Sequence, residues 1–324
     1  MMLTNRLCAL HMLLLSFLFL PAAVNAAEEG PEIPDYPVDR VADNIYVIHG
    51  PVTRPNEKNQ GFMNNPGFVL TSKGVVIIDP GGTVQAGEMV LRAVRTITDK
   101  PVIAVFDTHV HGDHWLGNQA IRNAYPDVPI YAHPNFIAEV AAGVGDKWVQ
   151  IMLDASKKQS RGTKVVNADH ALNPGDKIIL GDTSFDIYNY GVAHTDTDIM
   201  IAINGNTALF TGDNLINGRL GNTLEGNIKG LIETDEKVIE AVHPKVIIPG
   251  HGSSGGLAMF NYSIDFFRIL YKTVGQLYQE DMSDYEMKPK VIKALAKYRN
   301  WEDFDLLLGK TISQAYLEIE AVSF

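Results

Sequence analysis

The sequence predicts a layered α/β protein in which helices pack on the outside of β-sheets. Short apolar runs typical of strands fall into two clusters, one before residue 135 and the other between residues 176 and 250. Segments with the apolar spacing of helices lie between and after these clusters. Because sheets and helices bury their apolar faces against neighbouring layers, this order indicates packed sheets covered by helices.

The first cluster starts with a strand in NIYVIHG (44–50), followed by a polar loop rich in Pro and Asn (51–66). GFVLTS and GVVIIDPGG predict two strands joined by a Ser-Lys-Gly turn. Residues 83–97 have helical periodicity, and PVIAVFD (101–107) is a continuously apolar run that suits a buried strand. A helix-like stretch then runs to about Ala124, before a further strand in PIYAH (129–133).

The second half begins with a helical stretch, NFIAEVAAGVGDKWVQIMLDASKK. Strands are predicted in DKIILG, TSFDIYNYG, DIMIAI and TALFTGD, then a helix in EGNIKGLIETDEKVIEAV and a strand in KVIIPGHG. From Gly256 the pattern is mostly helical, in about three helices. We therefore predict a main domain over residues 27–256 and a helical C-terminal extension over 257–324, packed on the same domain.

Residues 1–26 predict a secretory signal peptide. The apolar run LCALHMLLLSFLFL is followed by small residues in PAAVNA, which favours cleavage after Ala26. A membrane anchor is the alternative, but the run is short for a membrane span. We therefore expect a protein secreted across the inner membrane, periplasmic, with no stable membrane anchor after cleavage.

Cleavage would also change the chemistry available to the chain. It would remove Cys8, the only cysteine, so the exported protein would have no disulfide, thiol nucleophile or thiolate ligand. Loss of Arg6 and of no acidic residue would change the net charge from −11 to −12. Because phosphate backbones require a basic surface, we expect a small-molecule substrate and no nucleic acid. The sequence leaves the oligomeric state open.

The segment THVHGDHW (108–115) carries the clearest chemical signal. His109 and His111 are two residues apart just after a strand, so both side chains leave one face of an extended segment and could bind one ion. Asp113 and His114 follow Gly112 at a predicted helix start, where they could bind a second ion. Imidazole and carboxylate are ligands that suit zinc. Four such residues beside an apolar strand would be costly to bury without a metal or partners.

Later loops supply candidates for the rest of such a site. His194 in YGVAHTDTD, Asp213 in FTGDN and His251 in PGHG each follow a strand-like run and a small or Gly-rich turn. Because sheets place such loops along one edge, we expect these residues to meet the first cluster. Isolated histidines are usually structural or exposed. We interpret three in this way: His49, His133 and His243.

The segment HVHGDH matches the H-x-H-x-D-H signature of the metallo-β-lactamase-fold hydrolases, and AHT, GD and PGHG follow in matching order. VVIIDPGG, with Asp79, is also typical, so the chain resembles this family over about residues 41–252. The resemblance implies a four-layer αβ/βα sandwich with metals at the edge between two sheets. It also implies that His109, His111 and His194 hold one zinc, that Asp113, His114 and His251 hold the other, and that Asp213 bridges them.

The resemblance further implies a metal-dependent hydrolase in which two zinc ions share a water and lower its pKa to about 7. The position of Asp213 is cysteine or serine in familiar β-lactamases, so the ligand set resembles that of glyoxalase II, lactonases and alkylsulfatases. The expected substrate is an ester, thioester, lactone, amide or sulfate ester. Two segments, DTHVHGDHWLGNQA and SQAYLEIEA, resemble those of a periplasmic subgroup, the quinoprotein-relay and thiosulfate-oxidation-associated metallohydrolases.

Two alternatives stay open at this point. One is a mononuclear iron oxidoreductase of the same fold that acts on sulfur compounds, such as a persulfide dioxygenase. The other is a non-catalytic periplasmic binding protein.

Roles outside the metal ligands are also predicted. We expect Asp113 to orient the nucleophile as well as to bind metal. Asp79 and Asp107 could accept the free N–H of a ligand imidazole or, equally, cap strand ends. Selectivity is expected from the loop 51–66, Trp115 and the helical tail.

Overall fold

The computed structural model describes residues 29–323, so the predicted signal peptide and Cys8 lie outside the described residues. Within that range the strands are β1 (Asp39–Ala42), β2 (Ile45–Val47), β3 (Gly67–Leu70), β4 (Val75–Ile78), β5 (Val102–Phe106), β6 (Ile130–Ala132), β7 (His170–Ala171), β8 (Lys177–Leu180), β9 (Thr183–Tyr188), β10 (Met200–Ile203), β11 (Ala208–Phe210) and β12 (Val246–Ile248). The α-helices are α1 (Val84–Ile97), α2 (Gly112–Trp115), α3 (Asn118–Ala124), α4 (Pro134–Ala141), α5 (Val144–Ala155), α6 (Ile228–Val242), α7 (Leu257–Gln279), α8 (Asp284–Ala294) and α9 (Phe304–Ala321). Short 3-10 helices occupy Gly212–Asn214 and Ala296–Tyr298.

The strands form two mixed sheets. The first has the order β1-β2-β3-β4-β5-β6-β7, antiparallel up to β4 and parallel from β4 onward. The second has the order β12-β11-β10-β9-β8, antiparallel except for the β11–β12 pair. Each sheet is therefore built mainly from strands that are consecutive in the chain, as short connections require.

Successive apolar side chains of the central strands point to opposite faces of the sheet, which explains why both faces are covered. In β4, Val75 and Ile77 belong to the core shared with α1, whereas Val76 and Ile78 belong to the core between the two sheets. A strand with apolar residues on both faces is stable only when both are covered. Helix α6 covers the outer face of the second sheet. The expected four-layer αβ/βα sandwich is confirmed.

The C-terminal extension has an apolar core of its own. Helices α7, α8 and α9 enclose a cluster that includes Phe266, Tyr298 and Phe304, and Leu220 and Ile228 of the main domain join it. Because the cluster includes residues from both sides of residue 257, the extension packs on the main domain. The exact division of the chain at residue 256 stays a prediction. Among the described helices, none has the length and apolarity required to span a membrane.

Two details differ from the sequence prediction. The helical stretch at 135–158 is two helices, because Gly143 has a φ of 101° and ends the first of them. Strands β1 and β7 were not predicted; β1 follows the Pro-rich lead and β7 has only two exposed residues, so neither has an apolar pattern.

Candidate metal centre

All seven predicted ligands lie together at the edge where strands of both sheets end. His109 and His111 follow β5, and Asp113 and His114 are in α2. The remaining three follow β9, β11 and β12, in the order His194, Asp213 and His251. All seven side chains are buried. The seven side chains meet because loops from distant parts of a chain converge at the edge of a sheet where its strands end.

The seven residues form two groups, each able to hold a metal ion. The first comprises His109, His111, His194 and Asp213, and the second comprises Asp113, His114 and His251. In the first group, His111 Nδ1 and His194 Nε2 are 2.9 Å apart. In the second, His114 Nε2 and His251 Nε2 are 3.4 Å apart. Imidazole nitrogens converge in this way when they share a cation.

Asp213 lies between the two groups. Its Oδ1 is 3.2 Å from His114 Nε2, and its Oδ2 is 3.3 Å from His251 Nε2 and 3.7 Å from His194 Nε2. One carboxylate therefore contacts imidazoles of both groups, which is the geometry expected of a bridging ligand. The metal-binding roles of the individual residues stay predictions.

Four imidazoles have their second nitrogen fixed by the protein. His114 Nδ1 donates to Asp79 Oδ2 (2.8 Å) and His251 Nδ1 donates to the Met63 carbonyl (2.8 Å). His111 Nε2 lies 3.0 Å from Glu225 Oε2, and His109 Nδ1 lies 3.1 Å from Thr108 Oγ1. Such contacts fix the ring orientation and direct the other nitrogen toward the centre, where it could bind a cation.

The donor set fits a pair of divalent cations. His109 Nε2 and Asp213 Oδ1 are buried and have no hydrogen-bond partner among residues 29–323. A buried polar atom without a partner is costly, so both atoms indicate a ligand. Nitrogen and carboxylate oxygen suit zinc and also iron. The structure thus supports two metal ions, without specifying which metal.

Burial and charge prepare several of these groups to bind cations. Burial lowers the pKa of His109 well below its usual value, and burial and the neighbouring His111 lower the pKa of His194 to about 3. Both rings are therefore neutral at physiological pH. Burial alone would raise the pKa of Asp213, but His251 and His114 outweigh it and lower that pKa well below its usual range. Asp213 is therefore ionised.

The two aspartates proposed as imidazole acceptors behave differently. Asp79 accepts from His114 and also caps the end of the neighbouring strand β5, because its carboxylate accepts from Thr108 N (2.8 Å) and Thr108 Oγ1 (2.7 Å). Among residues 29–323, Asp107 makes no hydrogen bond with an imidazole; its Oδ2 accepts from Asn118 Nδ2 (2.7 Å). The acceptor role is therefore wrong for Asp107, whose side chain leaves the strand end on the side of α3.

A cleft opens onto the metal-binding groups. Its walls are formed by Pro55, Met63, His111, Asp113, Trp148, Met152, His194, Asp213, Ile216, Arg219, Gly221, Asn222 and His251. The loop 51–66 contributes Pro55 and Met63, as expected. Trp115 does not line the cleft, since its ring is buried against Phe136 and its Nε1 donates to the Val110 carbonyl.

The helical tail also does not line the cleft directly, contrary to expectation. Its contribution is indirect, because Asp303 accepts a hydrogen bond from Arg219, which lines the cleft. Three residues at the site were not predicted from the sequence: Trp148, Arg219 and Glu225. Trp148 lies in α5, in a segment of ordinary helical pattern, and the other two lie in the irregular segment before α6. No local signal in the sequence distinguishes them from residues that merely pack or face solvent.

Comparison with known proteins gives a family and several relatives. The family model described as the Metallo-beta-lactamase superfamily matches residues 60–251. Hydroxyacylglutathione hydrolase of Thermosynechococcus vestitus is 27% identical over 131 residues, which are 40% of this chain and 42% of that protein. The enzyme of the same name from Acaryochloris marina is 24% identical over 185 residues, 55% of this chain and 60% of that protein. The chain thus spans about half the length of these relatives.

Solved structures agree on the fold. A metallo-beta-lactamase from Pontibacter korlensis has a TM-score of 0.56 and 19% identity, over 72% of this chain and 98% of that chain. A stereoselective inverting sec-alkylsulfatase from Pseudomonas sp. has a TM-score of 0.66 and 15% identity, over 87% of this chain and 50% of that chain. At these identities the likeness concerns the fold alone.

Proposed function

Because the chain belongs to the metallo-beta-lactamase superfamily, we propose that it is an exported hydrolase that uses two zinc ions. The proposed substrate is a small molecule with an ester, thioester, lactone, amide or sulfate-ester bond. The observation that carries the proposal is the pair of buried donor groups joined by the Asp213 carboxylate.

The metal ions, when bound, would lower the pKa of a coordinated water to about 7 and polarise the substrate oxygen. The residues of the chain would orient the nucleophilic water and the substrate and exclude bulk water from the cleft. Asp113 lines the cleft, and its carboxylate is ionised because His114 and His251 lower its pKa against the effect of burial. An ionised carboxylate at this place accepts a hydrogen bond from the attacking water and so orients it.

The apolar walls define the substrate further. The apolar residues that line the cleft include Met63, Trp148, Met152 and Ile216. Apolar walls with a few convergent polar groups favour a substrate with an apolar body and one polar reactive bond. The names of the relatives, a hydroxyacylglutathione hydrolase and an alkylsulfatase, support a thioester or a sulfate ester within this class.

The test is metal quantification of the purified protein combined with a substrate screen. We expect about two zinc ions per chain and hydrolysis of at least one substrate among β-lactams, thioesters, lactones and sulfate esters. His111→Ala should lose metal and activity together. His243→Asn is the control, because His243 ends α6 outside the centre with a positive φ that asparagine tolerates.

Other outcomes would identify the alternatives. One iron per chain with little zinc would contradict the dizinc proposal and favour an oxidoreductase acting on sulfur compounds. Intact metal with no turnover, and an unchanged cellular phenotype for His111→Ala, would favour a binding protein. The complete second group, Asp113, His114 and His251, supports two metal ions over one.

We also propose that the protein is exported and that it belongs to the periplasmic subgroup of quinoprotein-relay and thiosulfate-oxidation-associated metallohydrolases. The apolar N-terminal run and the small residues before Ala27 support cleavage by a signal peptidase and a periplasmic location. N-terminal sequencing of the protein recovered from the periplasm should start at Ala27. A protein that stays in the cytoplasmic fraction would contradict export and the periplasmic subgroup.

A further inference from the structure

A second group of side chains, outside the metal centre, has the contacts of a nucleophilic site. His49 Nδ1 and Asp39 Oδ2 are 2.9 Å apart, and His49 Nε2 and Ser254 Oγ are also 2.9 Å apart. One imidazole thus joins a carboxylate to a hydroxyl, which is the order of orienting group, base and nucleophile in serine hydrolases. Among residues 29–323, none of the three side chains makes a hydrogen bond with a predicted metal ligand.

The two sheets hold these three residues in place. Asp39 begins β1, and His49 lies just beyond β2, which pairs with β1. Ser254 is held by the second sheet, because the turn after β12 returns to that strand. There Ile247 N donates to the Gly255 carbonyl (2.7 Å) and Gly255 N donates to the Ile247 carbonyl (3.0 Å). Paired backbone therefore fixes the group on both sides, as the positioning of a reactive group requires.

The backbone also determines the tautomer of His49. Ser254 N donates to His49 Nε2 (3.2 Å), and a backbone N–H can only donate. Nε2 is therefore unprotonated, and the ring proton is on Nδ1, which donates to Asp39. The Ser254 hydroxyl then donates to Nε2, which is its one hydrogen-bond partner in the described part of the chain. This is the tautomer in which an imidazole can take the serine proton as a general base.

The backbone beyond Ser254 suits a developing oxyanion. Helix α7 begins three residues later and has no side-chain cap. The N–H groups of Gly256 and Leu257 have no acceptor among residues 29–323. Free amides at a helix N-terminus stabilise negative charge. A Cβ at Gly256 would have no atom within 4 Å, and the side chains of His49 and Asp39 are 24% and 60% exposed, so a small molecule can reach the group from solvent.

We propose that Asp39, His49 and Ser254 form a second hydrolytic site, which requires no metal and acts on small carboxylic esters with a good leaving group. Ser254 and His49 are its catalytic residues. Asp39 is the positioning residue, because it fixes the imidazole and stabilises the positive charge that the ring acquires. The metal-binding groups take no part, so the inference does not depend on the proposed function.

The reaction at this site has two steps. Ser254 Oγ attacks the carbonyl carbon of the ester while its proton passes to His49 Nε2. The bond from that carbon to the leaving oxygen breaks, and His49 gives the proton to the leaving oxygen, so that an acyl group stays on Ser254 and an alcohol departs. Water then attacks the acyl group with His49 again as base, which releases the carboxylic acid and restores the Ser254 hydroxyl.

The first test measures labelling of the zinc-loaded protein by diisopropyl fluorophosphate, which phosphorylates an activated serine with loss of fluoride. We expect one phosphoryl group per chain on Ser254 by peptide mass spectrometry, and none in Ser254→Ala. His49→Gln should react about a hundredfold more slowly. Asp39→Asn should react about tenfold more slowly at an unchanged melting temperature, and Asp39→Glu should recover part of the rate. Ser253→Ala, at the exposed neighbouring serine, is the matched control and should react like the wild-type protein.

The second test separates this site from the metal centre. His111→Ala, which should lose metal, should still release 4-nitrophenol from 4-nitrophenyl acetate, and the double variant with Ser254→Ala should release it about tenfold more slowly or less. Equal release by the single and double variants would overturn the proposal. So would the absence of a phosphoryl group on Ser254 in the wild-type protein, or equal labelling rates in folded His49→Gln and the wild-type protein.

Discussion

Single residues in this protein illustrate how a histidine is prepared to bind a metal. His114 presents Nε2 to the other predicted ligands while Asp79 fixes Nδ1, and His251 does the same with the Met63 carbonyl as partner. These partners determine which nitrogen is protonated. Asp213 then brings a negative charge between the groups, which would compensate part of the charge of two bound cations.

The sequence predicts the ligands better than their partners. HVHGDH is a compact signature, and His194, Asp213 and His251 each follow a strand and a small residue, so their convergence is predictable. Glu225 and Arg219 lie in a segment between the Gly212–Asn214 turn and α6 that has neither strand nor helix. Their places depend on long-range contacts, such as Arg219 with Asp303, which no local pattern encodes.

Asp235 makes the stability of the protein depend on pH. It is fully buried on α6, and neither carboxylate oxygen has a hydrogen-bond partner within residues 29–323. Burial, and then the nearby Asp198, raise its pKa well above the ordinary value of 3.8. The native state therefore binds a proton that the unfolded state releases. The contribution of Asp235 is fully present below pH 3.8 and is lost as the pH rises through the raised native pKa.

Replacement by asparagine removes this dependence, because the amide stays neutral at every pH. We expect the melting temperature of Asp235→Asn to exceed that of the wild-type protein by an amount that grows with pH, by up to about 3 °C per pH unit. Thermal melts between pH 5 and pH 8 measure it, with the exposed Asp99→Asn as control. A difference that does not change with pH would show that Asp235 is ionised in the folded protein.

At the level of elements, the centre depends on close contact between two loops. The loop after β12 passes the Gly212–Asn214 turn, where Gly250 N donates to the Gly212 carbonyl (2.8 Å) and to the Leu215 carbonyl (3.1 Å). The strands themselves were predictable from their apolar runs. The contact between their loops was not, since it depends on how β11 and β12 pair in the sheet.

Gly250→Ala should damage the metal centre. A Cβ at Gly250 would lie 2.0 Å from Asp213 Oδ1 and 2.8 Å from Gly212 C, so the proposed bridging carboxylate would have to move. We expect at least a tenfold weaker zinc affinity in a chelator competition, and a loss of about 1–3 kcal/mol of stability from overpacking. Gly256→Ala is the matched control, because nothing lies within 4 Å of a Cβ there. Unchanged affinity in folded Gly250→Ala would mean that Asp213 does not hold the metal.

At the level of the whole molecule, the predicted metal ligands come from both sheets, which otherwise meet through an apolar core. His109 and His114 follow the first sheet, whereas Asp213 and His251 follow strands of the second. The C-terminal extension contacts the same region through Asp303 and through its shared apolar cluster. The layered fold was predictable from the order of strands and helices, but this contact was not, because the tail shows only helical periodicity.

Metal removal should therefore destabilise the entire chain. A ligand that binds only the folded state stabilises it by about 4 kcal/mol at a thousandfold excess over its dissociation constant, which corresponds to roughly 10 °C for a protein of this size. We expect a chelator to lower the melting temperature by that amount in one cooperative transition, and zinc to restore it. In the double variant His111→Ala with His251→Ala, which removes a ligand from each group, the chelator should have little effect. If the wild-type protein melts at the same temperature with and without chelator, the two groups do not hold metal in the folded protein. Two separate transitions would instead show that the sheets and the extension unfold independently of the centre.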